Sequence, residues 1–296
     1  MSETESNRRS RFRQRLTQRN ALLMAGAFNA MSARIVEDTG FEAVYVTGAG
    51  VTNMGFALPD LSFVGLAEMA EQAVRIRDAV DLPMMVDVDT GFGNPINVRQ
   101  TVRTMERTGA DALQIEDQVL PKKCGHFSGK QVIPAEEMTN KIRAAVDARH
   151  DENLLVVART DAAAVHGIEA AIERAHRYAE AGADLLFIEA VEDRDTIERL
   201  PALFEVPLVM NIVIGGKTPV SDQPELARLG YGITLYANAA LQGAVCGMQN
   251  ALGELKRRGR LDEDPNLVAP FSERQRLVRK PLFDELSSRY AEQGSD

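Results

Sequence analysis

The stretch Thr108-Gly109-Ala110-Asp111-Ala112-Leu113-Gln114-Ile115-Glu116 decides the fold, because the chain repeats its form several times. A helix ends at a glycine, and a short apolar strand that finishes in a polar residue follows. Glycine at this place fits a left-handed helix cap before the chain re-enters a sheet. The same pattern, a helix end and a glycine before a strand, occurs at Thr39-Gly40-Phe41, Ala181-Gly182-Ala183-Asp184 and Leu229-Gly230-Tyr231.

Short apolar runs rich in β-branched residues alternate along the chain with longer amphipathic stretches, which is the pattern of βα units around a parallel sheet. Eight such units in about 250 residues favour a (β/α)₈ TIM barrel of the α/β class. A doubly wound sheet is less consistent with the sequence, because no glycine-rich phosphate-binding fingerprint follows the first strand. The predicted strands are Leu22 to Gly26, Ala43 to Thr47, Pro83 to Val88, Ala112 to Glu116, Leu154 to Arg159, Leu185 to Glu189, Pro207 to Asn211 and Gly232 to Tyr236.

The predicted barrel occupies residues 21–256, between a polar N-terminal arm over residues 1–20 and a C-terminal helical extension over residues 257–296. The extension is charged and ends in a helix predicted from about Ser272 to Tyr290. The arginines of the arm predict a solvated tail or a subunit contact. They include Arg8, Arg9, Arg11, Arg13 and Arg15.

The 296-residue chain carries a formal net charge of −9, so nucleic acids and anionic membranes are not expected partners. No apolar run approaches the roughly 20 residues of a membrane-spanning helix. The N-terminus lacks the apolar core of a secretory signal, and Glu3 and Glu5 argue against a transit peptide, so we expect a cytoplasmic protein. Cys124 and Cys246 stand in different surroundings and do not indicate a disulfide.

Polar side chains finish most of the predicted strands, and in such barrels the reacting groups gather at these carboxyl ends. Asp87 and Asp89 are two residues apart, so both carboxylates face the same side of a strand. A divalent cation would relieve their repulsion, and hard oxygen ligands favour Mg²⁺, or Mn²⁺, over Zn²⁺. A polar strand end is by itself ordinary, but the convergence of several favours a site. The others are Glu116, Arg159, Glu189 and Asn211.

Two loops after the strands carry further candidate residues. The small-residue turn Thr47-Gly48-Ala49-Gly50 could bind a carboxylate or phosphate through its backbone N–H groups, or could be only a tight βα turn. Lys122-Lys123-Cys124-Gly125-His126 places a thiol among cationic groups that favour the thiolate. That loop predicts proton transfer near neutral pH, and the alternative is a basic surface loop that contains a cysteine.

Together these residues resemble the isocitrate lyase and phosphoenolpyruvate mutase superfamily, from about Leu22 to Leu255. The Lys-Lys-Cys-Gly-His element is specific to the lyase branch, because the mutases resemble the rest but lack the cysteine loop. The matching elements are Tyr45-Val46-Thr47-Gly48, Leu58-Pro59-Asp60, Asp87-Val88-Asp89-Thr90-Gly91-Phe92-Gly93, Ile115-Glu116-Asp117-Gln118, Pro121-Lys122-Lys123-Cys124-Gly125-His126, Ala158-Arg159-Thr160-Asp161, Glu189, and Asn211 with Gly215-Gly216-Lys217-Thr218-Pro219.

The resemblance implies a Mg²⁺-dependent lyase of 2-hydroxy di- or tricarboxylates. It also implies a mobile cysteine loop and a C-terminal helix exchanged between paired subunits of a homotetramer. By this analogy Asp87 and Asp89 hold the metal, and Asp60 and Glu116 contribute through water. The implied substrate-binding residues are Thr47, Gly48, Ala49, Gly125, Arg159, Glu189 and Asn211.

Cleavage of a carbon–carbon bond beside a hydroxyl leaves an enolate-like carboxylate, which needs a nearby cation, hydrogen-bond donors and then a proton. Cys124 is the predicted general acid, with Lys122, Lys123 and His126 tuning its pKa. The residue that removes the hydroxyl proton stays open between Tyr45 and Glu189.

The substrate is predicted from departures within the family pattern. Gln242 stands where methylisocitrate lyases have an arginine for the third carboxylate, which favours a dicarboxylate such as 2,3-dimethylmalate, cleaved to pyruvate or another 2-oxo acid and a carboxylate. Phe187, two residues before Glu189, resembles the pattern of methylisocitrate lyases at this position. Cleavage of methylisocitrate to pyruvate and succinate is therefore the alternative. Action on oxaloacetate or phosphonopyruvate stays open. Ile214, where many members carry Glu, weakens the transfer of a role to Asn211.

Overall fold

The computed structural model describes residues 4–123, 129–216 and 222–291. Its chain forms two compact units, Met1–Ala239 and Ala240–Asp296. The helices are α1 Glu5–Thr17, α2 Ala30–Asp38, α3 Gly48–Phe56, α4 Leu66–Ala79, α5 Pro95–Arg107, α6 Ala135–Ala148, α7 Ala163–His166, α8 Ile168–Glu180, α9 Arg194–Arg199, α10 Gln223–Leu229, α11 Ala239–Arg258, α12 Phe271–Leu277 and α13 Lys280–Ala291. None of these described helices is long and apolar enough to span a bilayer.

Eight parallel strands close the first unit into a barrel, in which each strand pairs with the next and β8 pairs with β1. The predicted (β/α)₈ barrel is therefore confirmed, and every predicted strand end lies within one residue of the observed end. The strands are β1 Leu22–Ala27, β2 Val44–Val46, β3 Met84–Asp87, β4 Ala112–Glu116, β5 Leu155–Thr160, β6 Leu185–Ile188, β7 Leu208–Asn211 and β8 Ile233–Tyr236.

Glycines end the helices before four strands as the sequence predicted. Gly40, Gly109, Gly182 and Gly230 have φ values of 88°, 79°, 102° and 90°, in the left-handed region. A side chain is rarely accommodated there, so glycine allows the helix to stop abruptly.

Alternate residues of the strands fill the barrel interior with apolar side chains. Tyr45, Met85, Val157, Phe187 and Leu235 belong to this buried cluster. Side chains alternate between the two faces of a strand. The next inward side chain therefore lies two residues after each of these cluster residues, at the carboxyl end of the barrel. These positions are Thr47, Asp87, Arg159, Glu189 and Ala237, with Glu116 and Asn211 at the same level of their strands.

The N-terminal arm is not a solvated tail, which corrects that prediction. Phe12 and Leu16 of α1 are buried in the barrel cluster. Arg8 Nε donates to both carboxylate oxygens of Asp111 at 3.0 and 3.1 Å, and Arg9 donates to backbone carbonyls of residues 106 and 110. Since Asp111 immediately precedes β4, α1 covers the N-terminal end of the barrel.

The second unit contains most of α11 together with α12 and α13. The helix predicted from about Ser272 to Tyr290 is interrupted, because α12 ends at Leu277 and α13 begins at Lys280. Arg279 between them has a φ of 54°. Pro281, the second residue of α13, is the signal that was overlooked, since proline favours the first turn of a helix.

Candidate active site

A cavity at the carboxyl ends of the strands brings together most of the predicted site residues. Cys124, Gly125 and His126 lie outside the described residues. The cavity is lined by the predicted residues Tyr45, Thr47, Ala49, Asp60, Asp87, Lys122, Arg159, Glu189 and Asn211, and by Phe187, Val213, Leu235, Ala237 and Asn238. Gly48, Asp89 and Glu116 adjoin it through the contacts described below.

Asp87 and Asp89 form the centre of a buried carboxylate cluster. Asp87 Oδ1 accepts from the backbone N–H of Asp89 at 3.1 Å and from Gln114 Nε2 at 3.3 Å, and its Oδ2 accepts from the N–H of Gly48 at 3.4 Å. These donors fix the carboxylate without neutralising it. The strand-end pair predicted from the two-residue spacing is therefore held on one side of the cavity.

Lys122 joins two of the predicted metal carboxylates. Its Nζ lies 2.6 Å from Asp60 Oδ1 and 2.9 Å from Asp89 Oδ1. Burial opposes its charge, but the surrounding carboxylates, Asp89 first, outweigh burial and raise the pKa of Lys122 well above its ordinary value. Burial also raises the pKa of Asp89 to about 7, against the stabilising charge of Lys122. The cluster thus carries excess negative charge in a poorly hydrated place.

The donor set suits a hydrated Mg²⁺ or Mn²⁺ ion. Glu116 Oε1 is buried and accepts no hydrogen bond from the residues that the structure describes. Within those residues no three His, Cys, Asp or Glu side chains converge as a direct ligand set. Mg²⁺ commonly keeps several waters and takes only one or two carboxylates, so Asp87 and Asp89 could hold it, with Asp60 and Glu116 as further carboxylates nearby.

Arg159 supplies a positive group that neighbouring carboxylates hold in place. Its Nε and Nη2 donate to the two oxygens of Asp161 at 2.9 and 3.1 Å, and Nε lies 3.3 Å from Glu116 Oε2. Burial disfavours its charge, but Asp161 and Glu116 more than compensate, so the pKa of Arg159 is raised well above its ordinary value. Lys130, which the sequence analysis did not assign, lies 2.7 Å from Asp161 and holds this pair in place.

The N-terminus of α3 provides backbone donors beside the cluster. Thr47 is its N-cap, and the Thr47 hydroxyl accepts from the N–H of Gly50 at 3.2 Å. The hydroxyl also lies 3.2 Å from Asn238 Oδ1, to which it donates. The N–H groups and dipole at a helix start favour an anion, so anion binding by the turn Thr47 to Gly50 stays a prediction.

Tyr45 and Glu189 were both candidates for the base, and their surroundings differ. Tyr45 donates its hydroxyl to Gln114 Oε1 at 3.0 Å. Burial, reinforced by the charge of Asp87, raises the pKa of Tyr45 well above its ordinary value, so the phenol stays protonated. Glu189 Oε2 accepts from Asn211 Nδ2 at 3.3 Å and lies 4.0 Å from Arg159. This arrangement favours Glu189 as the acceptor of a proton.

Three participants were missed from sequence. Gln114 lies inside a strand, where only its inward register could have marked it, and Asn238 follows β8 without a recognisable motif. Lys130 is a buried lysine whose partner Asp161 is 31 residues away. A lone lysine near a basic loop gives no sign of such a distant partner.

Comparisons of sequence and fold show which known proteins the chain is similar to. Residues 12–256 match the phosphoenolpyruvate phosphomutase family. The chain is 38% identical over 285 residues to 2,3-dimethylmalate lyase of Eubacterium barkeri, covering 96% of this chain and 99% of that protein. It is 42% identical over 256 residues to 2-methylisocitrate lyase of Shewanella oneidensis, covering 85% and 88%. It is also 37% identical to the petal death protein of Dianthus caryophyllus, over 96% and 90% of the two chains.

Solved structures agree in fold over nearly the whole chain. Oxaloacetate acetylhydrolase in complex with 3,3-difluorooxalacetate superposes with a TM-score of 0.89 at 30% identity, covering 99% of both chains. A crystal structure of 2,3-dimethylmalate lyase also gives 0.89, at 32% identity, covering 99% of this chain and 96% of that one. Phosphonopyruvate hydrolase in complex with oxalate and Mg²⁺ gives 0.85 at 27% identity, covering 98% and 100%.

Proposed function

Since the chain belongs to the phosphoenolpyruvate mutase and isocitrate lyase superfamily, in which close relatives are named lyases, we propose that it cleaves a 2-alkylmalate such as 2,3-dimethylmalate. The products are pyruvate or another 2-oxo acid and a carboxylate. The observation that carries the proposal is one cavity that brings together a carboxylate cluster, the guanidinium of Arg159 and the start of α3. An anionic substrate and a cation can both be held there.

The metal, Mg²⁺ or Mn²⁺, would be held by Asp87 and Asp89, with Asp60 and Glu116 acting through water, and when bound it stabilises negative charge that develops on the substrate. Arg159 binds a substrate carboxylate, and Asp161 keeps the guanidinium plane fixed while it does so. At the start of α3, Ala49 presents its backbone N–H to the same anion, whereas the N–H of Gly48 already donates to Asp87 Oδ2 at 3.4 Å. Because these donors are already oriented, little reorganisation is needed as charge develops.

Proton movement is assigned to two residues, Glu189 and Cys124. Glu189 accepts the proton of the substrate hydroxyl, since it lines the cavity beside Arg159 and Asn211. Cys124 returns a proton to the carbanion that remains after cleavage. Its support is its position in sequence two residues after Lys122, which lines the cavity, and the cationic neighbours that favour a reactive thiol.

The preference for an alkyl-substituted dicarboxylate rests on the apolar side chains that line the cavity. Phe187, Val213, Leu235 and Ala237 line it together. An alkyl group gains by burial against such side chains, whereas a third carboxylate placed there would lose its hydration, and the guanidinium of Arg159, 5.1 Å from the Phe187 ring centroid, is already assigned to another substrate carboxylate. Cleavage of 2-methylisocitrate is the second candidate, because the chain is 42% identical to a lyase named for that substrate.

A substrate panel tests the function directly. The purified protein with Mg²⁺ is incubated with 2,3-dimethylmalate, 2-methylisocitrate, isocitrate, oxaloacetate and phosphonopyruvate, and the release of pyruvate, glyoxylate or oxalate is followed. We expect the highest kcat/KM with 2,3-dimethylmalate. Turnover of 2-methylisocitrate alone would reassign the substrate, and no turnover of any hydroxy acid would exclude the lyase function.

The role of Cys124 is tested by Cys124→Ser. We expect at least about a thousandfold loss of carbon–carbon cleavage with unchanged Mn²⁺ binding, because general acid catalysis typically contributes factors of this order. Cys246→Ser is the matched control, since Cys246 is an exposed residue of α11. Equal activity of the two variants would remove Cys124 from the mechanism.

We also propose a cytoplasmic homotetramer that acts on a small carboxylate rather than on nucleic acid or a membrane. The net charge of −9 supports the choice of partner. Assembly is supported by an apolar stripe on α11 with alternating spacings of four and three residues, the pattern that helices bury against one another. Its members are Leu241, Val245, Met248, Leu252 and Leu255.

A further inference from the structure

Lys122 places its ammonium group on two of the carboxylates that we assign to the metal. Its Nζ lies 2.6 Å from Asp60 Oδ1 and 2.9 Å from Asp89 Oδ1, and its side chain is only 5% exposed. The contact is therefore a buried ion pair inside the site and not a surface salt bridge. Removing one partner of a buried ion pair is strongly unfavourable, because the other charge is left buried without compensation.

The same Asp89 oxygen faces Asp87. A Cβ added to Gly48 would lie 3.1 Å from Asp87 Oδ2 and 3.4 Å from Asp89 Oδ1, so both oxygens border one small space beside Gly48. A cation held by Asp87 and Asp89 would be attracted to the two oxygens at this space. Lys122 already contacts one of them.

Two cations cannot share that oxygen at low cost. The repulsion between a divalent ion and an ammonium group a few ångströms apart is large where water is largely excluded. The side chain of Lys122 can move away without disturbing the backbone. The backbone N–H of Lys122 donates to Ser62 Oγ at 2.9 Å, and this hydrogen bond does not involve the side chain of Lys122. Lysine also has a long flexible stem, which suits a change of position.

We propose that Lys122 is an internal counter-cation that a divalent metal must displace from Asp89 and Asp60, so that metal binding to this protein is an exchange of one cation for another. The inference rests on the metal dependence in the proposed function. It gives Lys122 a role in metal affinity that is separate from any effect on Cys124.

The test is Mn²⁺ binding to the metal-free protein without substrate, measured by titration calorimetry for wild type and Lys122→Gln. We expect the variant to bind Mn²⁺ about tenfold or more tightly, because a competing charge has been removed. Lys123→Gln is the matched control, since Lys123 Nζ donates to the carbonyl of Gly129. Its affinity should stay within about twofold of wild type, because more distant charges are screened.

An affinity of Lys122→Gln that equals that of Lys123→Gln, or falls below wild type, overturns the proposal. If neither wild type nor Lys122→Gln binds Mn²⁺, the proposal also fails. Because substrate is absent, these results are independent of the substrate panel. Metal exchange without turnover of any hydroxy acid would exclude the lyase function and leave the exchange standing.

A second measurement uses the wild-type protein and does not depend on a variant that folds. An amine-reactive reagent is added with and without saturating Mg²⁺, and modification of single lysines is followed by mass spectrometry. Lys122 should react faster with Mg²⁺, whereas Lys130, paired with Asp161 at 2.7 Å, should not change. An unchanged or slower reaction of Lys122 would contradict displacement.

Discussion

At the scale of single residues, the charge balance around Asp89 determines when the site can accept a cation. This carboxyl is buried beside Asp87 and Asp60, and Lys122 offsets only part of the unfavourable energy. The carboxyl of Asp89 therefore ionises only at higher pH, and a metal must compete for it with a proton as well as with Lys122.

Metal affinity should consequently depend on pH in a defined direction. Burial raises the pKa of Asp89 to about 7, so below that pH most molecules must lose a proton before Asp89 can bind a metal. The apparent Mn²⁺ affinity should rise about tenfold per pH unit up to about pH 7 and then level off. Calorimetric titrations between about pH 5.5 and about pH 8 check this, with Asp89→Asn as the control that should bind weakly without that rise. A flat profile in wild type would contradict it.

The sequence predicted the residues of the site better than their pairing. The alternation along strands was enough to place Asp87, Arg159 and Glu189 at one end of the barrel. It could not show that Lys122 meets Asp60, 62 residues earlier in the chain, or that Lys130 supports Arg159 through Asp161. Such contacts depend on how loops cross the barrel mouth, and loop paths leave no periodic pattern.

At the scale of elements, the strands were predictable because strands of a parallel barrel are buried on both faces and read as continuous apolar runs. The glycine caps gave the boundaries between helix and strand. The interruption between α12 and α13 was missed because residues 278 and 279 include no glycine, and Arg279 adopts a φ of 54° instead. Pro281 alone marked the new helix.

The closeness of β1 to the end of β8 gives a prediction for Gly26→Ala. The new Cβ would lie 1.8 Å from the carbonyl oxygen of Ala237, so the backbone after β8 must move. We expect a loss of about 3 kcal/mol or more in the free energy of unfolding, because overpacking against backbone cannot be relieved by a rotamer change. We also expect kcat/KM to fall at least about tenfold, because Ala237 and Asn238 line the cavity.

Urea unfolding and steady-state kinetics measure the two effects. Gly55→Ala in α3 is the control, since its Cβ would have no heavy atom within 4 Å. That change should stabilise the protein by up to about 1 kcal/mol through helix propensity. Similar behaviour of the two variants would mean that β1 and β8 are not tightly apposed.

At the scale of the whole molecule, the barrel unit is stabilised at its N-terminal end by ion pairs between distant parts of the chain. Arg8 and Asp111 are 103 residues apart, and Arg13 and Asp184 are 171 residues apart. Both aspartates follow a Gly-Ala pair just before a strand. One repeated sequence element therefore provides both carboxylates that pair with the arginines of α1. The repeated element and the arginines can be recognised in the sequence, but the contact between them cannot.

Breaking the Arg8 pair should therefore be costly. Arg8→Ala leaves Asp111 buried without its main counter-charge, and we expect a loss of about 3–5 kcal/mol in the free energy of unfolding. Arg75→Ala removes an exposed pair with Glu71 in α4 and should cost less than about 1 kcal/mol. Urea denaturation of both variants decides the matter, and equal losses would show that α1 is only loosely attached.

Assembly should depend on the apolar stripe of α11. Val245 is 40% exposed, Met248 46%, Leu252 61% and Leu255 40%, and a second copy of the helix can cover such a stripe. Leu252→Lys places a charge in the proposed contact, so we expect the mass measured by light scattering to fall from that of a tetramer to that of a smaller species. Asn250→Lys adds the same charge near the opposite side of α11 and should leave the mass unchanged, because helical residues two apart, such as Asn250 and Leu252, do not share a face. A tetramer that persists in Leu252→Lys, or a wild-type protein that is monomeric at all concentrations, would exclude this mode of assembly.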